Sequence, residues 1–496
     1  MQLPLEEWIV EADISKMQAA MEAGMIGAED LVRVYLDRIH AFNPVLRAII
    51  EVNPDAIQIA RELDYERKKT GSRGPLHGVP LLVKDNIGTH DQMHTSAGSI
   101  ALANSIAPVD SFVASQLRTA GAVLLGKANM TEWANFMSST MWAGYSSRGG
   151  LTLNPYGPGE LFVGGSSSGS AVAVAANLCA AAIGTETAGS IISPASQNSV
   201  VGLKPTIGLV SRSGIIPLTH TQDAAGPMAR TVKDIAIILG TLVGADVKDK
   251  DTLASLSYAY SDYTEFLDES YLQQASIGIP RFYMQHLDEA RLRIVNDAIA
   301  VLKEKGATIV DPVSLPCEQT EWDWNVLRYE FKKYLNEYLA SVAGTVPVRS
   351  LEEVIAFNKE HAQVALKYGQ DKLIWCDSTS GTLTEDEYWE SRRKNIEMAR
   401  TNGLDHVLAE YQLDALLFLG NENGPDLAAR AGYPVITVPG GYADSGVIAP
   451  GGYITKGPQG ITFVGRAFSE PVLIKIAYGF EQASKHRVAP DMTMLT

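Results

Sequence analysis

Apolar residues recur every three to four positions over residues 13–42, which predicts two amphipathic helices. Asp30 falls near the start of the second and Pro44 after its end. A third helix is expected over NPDAIQIARELDYERKKTG, closing at Gly71 with basic residues in its last turn. The pattern then changes. GVPLLVKDN is a short apolar run between turn residues and predicts a buried strand, and SFVASQLRTAGAVLLGKAN reads as helix, Gly, strand. Beyond GSSSG a helix is expected near SAVAVAANL, a strand near CAAAIGTE, and a turn at TAGS that opens another helix. VGLKPTIGLVSRSGIIPL predicts short strands and turns, and residues 228–244 an amphipathic helix. Residues 276–315 read as a β-α-β unit. LDALLFLG, YPVITVPGGY and ITFVGRAFSEPVLIKIAYGFEQASK return to the strand pattern and end on a helix. Helices alternating with short apolar strands predict a layered α/β fold, a large mixed β-sheet covered by helices on both faces.

Residues 318–410 break this alternation with long aromatic and charged helices, EWDWNVLRYEFKKYLNEYLASV and DEYWESRRKNIEMARTNGLDHVLAEY. A Trp/Tyr stripe at helical spacing is usually packing surface. No linker, repeat or low-complexity stretch cuts the chain. The expectation is one domain over residues 1–496 with a helical insertion at 318–410 over the substrate entrance. This runs against length alone, since 496 residues would suggest several domains.

A composition of 46% hydrophobic and 20% charged residues suits a large buried core. The net charge of −16 argues against a nucleic-acid or anionic-membrane surface. Cys179, Cys317 and Cys376 are far apart, and no Cys/His cluster has metal spacing. None of the nine histidines sits in a metal-spaced pair. No stretch reaches the roughly 18 apolar residues of a membrane span, and the N-terminal residues lack a signal-peptide pattern, so a cytoplasmic location is expected. No cofactor or metal is expected, and the oligomeric state is not legible.

The chemistry concentrates in GGSSSGSAVAVAANLCAAAIGTETAGSIISPASQNSVVGLKP, residues 164–205. Two Gly/Ser-rich turns each offer a hydroxyl and backbone N–H groups with little side-chain bulk before them. Acyl transfer needs both parts: a serine nucleophile and donors aimed at a developing oxyanion. Lys84, at the end of an apolar strand, is a candidate base whose burial would lower its pKa. Asp85 would face the opposite way. Lys127, in LLGKAN, reads as structural, and Asn129, Ser138 and Ser139 as candidates to line the site. A rival reading takes Gly165–Gly169 as G-x-S-x-G, with Ser167 as nucleophile and His406 or His486 downstream. Its elbow lacks a strong preceding strand.

GGSSSGSAVAVAAN, IGTETAGSIISPAS, VGLKPTIGLVSRSGIIP, QDAAGPMARTVKD, YPVITVPGGY and GRAFSEPVLIKIAYGFEQ, in this order, resemble the amidase signature family over nearly the whole chain. NPYGPGE before them makes the bacterial peptide amidases, which remove a peptide's C-terminal amide, the most similar branch. The resemblance implies hydrolysis of an amide C–N bond through a Ser-Ser-Lys triad. Lys84 would be the base. Ser166 would be the bridging serine after a cis peptide bond, and Ser190 the acylated nucleophile. It also implies oxyanion donors at the N–H groups of Thr187, Ala188, Gly189 and Ser190, with support from Ser167 and Thr185. Many members carry Arg where this chain has Ile192, and Gly or Asp at Ala188. The missing charge favours a neutral amide over a carboxylate-bearing or tRNA-linked substrate. Aryl amides, esters and carbamates, and a non-catalytic or amidotransferase subunit needing a partner, remain as alternatives.

Overall fold

A computed structural model describes residues 4–342, 344, 346–446 and 456–495. Its strands are β1 (Ile49–Val52), β2 (Pro80–Lys84), β3 (Val123–Ala128), β4 (Tyr145–Ser146), β5 (Gly150–Leu151), β6 (Ala181–Glu186), β7 (Val201–Lys204), β8 (Ala224–Ala229), β9 (Ser276–Gly278), β10 (Thr308–Val310), β11 (Ala415–Leu419), β12 (Val435–Ala443) and β13 (Gly457–Val464). Eleven of them form one sheet in the order β1-β3-β2-β6-β8-β7-β12-β13-β11-β9-β10, and β4 pairs only with β5. The sheet is mixed. β2 runs parallel to β3 and β6, whereas β8 is antiparallel to both β6 and β7.

Successive side chains of a strand point to opposite faces, so a strand buried along its whole length must be covered on both. β2, β3, β6, β7, β8, β11 and β13 are all buried in this way. Their covering helices share one continuous apolar core with the sheet. The helix Ser168–Ala175 is buried at all eight positions, and its sequence SGSAVAVA is what permits this. A Cβ on Gly169 would lie 2.2 Å from the Ala48 carbonyl oxygen and 2.5 Å from backbone atoms of Asn129. Gly169→Ala is therefore expected to lower the unfolding temperature, with an overpacking cost of about 1–3 kcal/mol or more, read by thermal unfolding.

The periodic segments fold largely where the pattern predicts. Helices cover Ile14–Glu22, Ala28–Leu46 and Ala56–Thr70, and Gly71 ends the third at φ +88°. The β-α-β unit is β9, Glu289–Glu304 and β10, with the strands parallel. Four details differ. Pro44 lies inside the second helix rather than after it. The 228–244 helix starts only at Val232, because Ala224–Ala229 extends as β8 between β6 and β7. Between Lys204 and Ala224 the chain is irregular rather than a run of short strands. The 318–410 region is also not one unit. Its helices Asn325–Ser341, Leu351–Glu360, Asp371–Asp377 and Asp386–Ile396 build a second apolar core with residues 97–145, Ile216 and Leu218. Its last part, with Ala399, Leu404, Val407 and Leu408, belongs to the main core.

Phe331 joins the second core to the 132–136 turn, edge-on to Trp133 and Phe136 at 6.4 and 5.8 Å between centroids. Buried Glu330 accepts the N–H groups of His220 and Thr221 and the Tyr388 hydroxyl. Among the described residues no helix is long and apolar enough to cross a membrane.

Candidate active site

β2 ends at Lys84, β6 ends at Glu186, and the two strands are neighbours, so their carboxyl ends open at the same place. The Gly164–Ser168 turn leads into the buried helix there, and the Thr187–Ile191 turn leads out of β6. The Ser167 N–H donates to the Ser190 carbonyl oxygen at 3.0 Å, which clamps the two turns together. The peptide bond between Gly165 and Ser166 is cis.

Lys84 is fully buried. Its Nζ donates to Ser166 Oγ at 2.7 Å, to Thr185 Oγ1 at 2.9 Å and to the Thr185 carbonyl oxygen at 3.1 Å. Burial pulls its pKa down to about 7, against the opposing pull of the Asp223 and Glu186 carboxylates. Asp85 faces away, as strand alternation predicts, and accepts from the Gly98 N–H at 2.9 Å and from Arg148 at 3.3 Å. Thr185 Oγ1 also accepts from Asn86 Nδ2 at 3.0 Å. Ser167 Oγ donates to the Thr185 carbonyl at 3.0 Å and accepts the Thr185 N–H at 3.2 Å. Ser167 is fully buried in this network, with no histidine among its partners. His406 pairs with Glu410 on the helix Asp405–Glu410. The histidine that the G-x-S-x-G reading requires is thus not bonded to Ser167 among the described residues.

Ser190 lines a cleft of about 1040 Å³ together with Thr187, Ala188, Ser193, Gln197, Asn421 and Gln459. Among the described residues, no acceptor is bonded to the N–H groups of Thr187, Ala188 and Ser190. Gly189 differs. At φ +77° its N–H is directed to the Glu186 carboxylate. The same carboxylate takes the N–H groups of Ile191 and Ile192 at 2.7 and 3.0 Å. It therefore occupies donors that a helix start would otherwise aim at an anion. Ser166 Oγ has no hydrogen bond to Ser190 Oγ among the described residues, and its one side-chain partner is Lys84. Such links often tighten only with substrate bound.

A second pocket adjoins the cleft and shares Ala134, Thr187 and Leu218 with it. Asn86, Asp223 and Tyr338 line this second pocket. Asp223 takes the Thr187 hydroxyl at 2.6 Å and the N–H groups of Leu218 and Thr219 at 2.8 and 2.9 Å. Burial pushes its carboxyl pKa up, against those donors. Trp324, Leu327 and Lys372, all within residues 318–410, also line the cleft.

Three expected lining residues lie elsewhere. Ser139 is exposed, and its N–H is held by Asp371 at 3.0 Å. Ser138 donates to the same carboxylate at 2.8 Å, so this loop clasps the insertion rather than the substrate space. Asn129 is buried and holds the Arg47 and Gly150 carbonyls. Lys127 bonds the Ile87 carbonyl and Thr95, as a structural residue would. Asn86, Glu186, Asp223 and Asn421 were not singled out from the sequence. Asn86 had a signal, since residues two apart at a strand end share a side and it follows Lys84 in KDN.

Among the described residues no group of three or more His, Cys, Asp or Glu is placed to hold a metal ion. The Amidase family model matches residues 30–474. The chain is 43% identical to a native peptide amidase from Stenotrophomonas maltophilia, with a TM-score of 0.87 over 97% of this chain and 98% of that one. An amidase family protein from Bacillus anthracis is 41% identical, with a TM-score of 0.90 over 98% of this chain and 93% of that one. A probable amidase from Arabidopsis thaliana is 41% identical over 493 residues, 97% of this chain and 92% of its own length.

Proposed function

The chain belongs to the amidase family and is an amide-hydrolysing enzyme, and on that premise we propose that it cleaves a neutral amide through acylation of Ser190. The C-terminal amide of a peptide is the proposed substrate class. The observation that carries this reading is a buried lysine, low in pKa and 2.7 Å from Ser166, beside a serine turn in which the Thr187, Ala188 and Ser190 N–H groups have no acceptor among the described residues.

Lys84 acts in its neutral form. It takes the Ser166 hydroxyl proton as Ser166 takes that of Ser190. The Ser190 Oγ–carbon bond forms, and the carbonyl oxygen becomes an oxyanion on the N–H groups of Thr187, Ala188 and Ser190. One such donor is typically worth about 3 kcal/mol in the transition state. The C–N bond then breaks as the proton returns through Ser166 to nitrogen, and ammonia leaves. Water adds to the Ser190 ester, the relay takes its proton, and the acid departs as Ser190 regains its hydroxyl. Thr185, Ser167 and Asn86 hold Lys84 and the serine turn in place. Gly189 keeps the face of the turn open, and its N–H serves Glu186. The absence of a cation at Ile192 suits a substrate without a carboxylate.

The insertion acts as a cover over the entrance. Trp324, Leu327 and Lys372 stand on the cleft wall, and the Ser138–Asp371 contact holds the cover to the loop beneath.

The test is ammonia release from a dipeptide carrying a C-terminal amide, with the same dipeptide ending in a free carboxylate as blank. Release at a rate well above the blank is expected. Hydrolysis of aryl amides, esters or carbamates with none of the peptide amide would overturn the substrate class and leave the chemistry in place.

A further inference from the structure

We propose that Lys372 sorts peptide amides by charge: its ammonium takes a carboxylate on a side chain of the bound peptide and turns away a basic one. The inference rests on the Ser190 reading above and adds a side-chain preference to it.

Lys372 is the second residue of the helix Asp371–Asp377 and lines the cleft with Ser190. The helix buries Leu373 and Cys376, and its Leu373 N–H donates to the Met137 carbonyl at 3.4 Å. Lys372 Nζ lies 5.3 Å from the centroid of the Phe136 ring, and Phe136 lines the same cleft. The ammonium is thereby placed at the cleft wall. The side chain is half-buried rather than sealed, so a ligand can reach it.

Nothing in the protein neutralises this charge. Among the described residues Lys372 has no hydrogen bond and no ion pair, and the Phe136 ring face is its one close contact of electrostatic kind. The adjacent carboxylate, Asp371, accepts the Ser138 hydroxyl at 2.8 Å and the Ser139 N–H at 3.0 Å. Burial lowers the Lys372 pKa against the pull of Asp371, so the charge is held at a cost that a bound anion would offset. Glu422 is the other charged side chain on this wall, and it is already paired. Arg291 holds its carboxylate at 2.8 Å and His286 at 2.7 Å. The cleft therefore presents one uncompensated charge among the described residues, and it is positive.

A fixed charge in a partly dry cleft draws groups of opposite sign and repels its own. The ammonium can also donate to a backbone carbonyl, but every peptide carries those and they sort nothing. What differs between peptides is the charge of their side chains. The group attacked stays an uncharged carboxamide, and the charge that Lys372 reads is carried elsewhere on the peptide. Ile192 is fully buried and does not line this wall.

The experiment measures kcat/KM for N-acetylated dipeptide amides, followed as the C-terminal acid formed. Glu, Gln or Lys stands at the amidated residue in one series and at the residue before it in another. Each rate is taken relative to the Gln peptide with the same enzyme, so a general loss of activity cancels. In the wild type, one series is expected to place Glu about tenfold above Gln and Lys about tenfold below it. Both differences should shrink as salt rises toward about 1 M, where the Debye length is about 3 Å. Lys372→Met keeps the length of the stem and loses the charge, and both ratios should fall to within about twofold of unity. Lys372→Arg should keep the order Glu, Gln, Lys, and Lys372→Glu should reverse it. A wild type that treats the three peptides alike in both series, or a preference that survives in Lys372→Met, would overturn the inference and leave the Ser190 reading intact. A wild type that hydrolyses no peptide amide, or a Ser190→Ala variant as active as the wild type, would overturn that reading and this inference with it. Thermal unfolding of each variant confirms that the ratios come from folded protein.

Discussion

Ser190→Ala is expected to reduce ammonia release from an amidated dipeptide by a factor of about 10⁴ or more, with little change in unfolding temperature. The serine oxygen is the only part removed, and Ser190, though buried, lines the cleft. The residual rate reflects what the N–H groups of Thr187 and Ala188 do for a water attack without acylation. Mass spectrometry adds an independent readout. The wild type, quenched during turnover of a slow ester, should carry the acyl mass on the peptide containing Ser190. Acyl mass on the peptide containing Ser167, or substantial activity in the alanine variant, would reject the assignment. Ser167 is the discriminating alternative because it is an equally small hydroxyl one turn away. Its oxygen is committed in both directions to Thr185 and is sealed from the cleft.

The central sheet was legible because several of its strands are short, largely apolar runs flanked by turn residues. GVPLLVKDN became β2 and CAAAIGTE became β6, adjacent and parallel as an α/β alternation implies. The sequence misled where tertiary pairing overrode local pattern. QDAAGPMA carries little strand signal, yet it forms β8 because β6 and β7 both need an antiparallel partner there. Pro44 sits two residues before the end of a 19-residue helix whose last residue, Leu46, is fully buried.

At the site, the pattern brought out the residues with a chemical role of their own, Lys84, Ser166 and Ser190. It missed those whose role is to hold others. Asp223 is 36 residues beyond Thr187 in the chain and 2.6 Å from its hydroxyl, and no local spacing encodes that. Asn421 is more distant still. Ser139 failed for the converse reason. Polar residues in a loop near a site look alike in sequence, and the choice between facing substrate and facing the insertion was made by Asp371.

Lys84→Ala is expected to cost about 10³–10⁴ in kcat/KM, since it removes the group that must hold the proton during attack. Ser166→Ala should cost less, because a water in the vacated hydroxyl space can carry part of the transfer. The pH profile makes the Lys84 prediction specific. With its pKa lowered to about 7 by burial, Lys84 is protonated in acid and cannot accept a proton. The wild-type kcat/KM should therefore rise tenfold per pH unit below about 7 and level off above it, and the residual activity of Lys84→Ala should lack that limb. Stability supplies an opposite-signed check. The unfolded chain binds a proton at this lysine up to about pH 10.4, whereas the folded protein releases it near 7, so the burden that Lys84 places on folding is fully present below about pH 7 and fades toward pH 10. Lys84→Met should accordingly compare best with the wild type in thermal unfolding at pH 6 to 7, and lose that relative advantage as the pH approaches 10. An inactive variant whose relative stability stayed flat across that range would mean that Lys84 is charged in the folded protein, and the general-base role would fall with it.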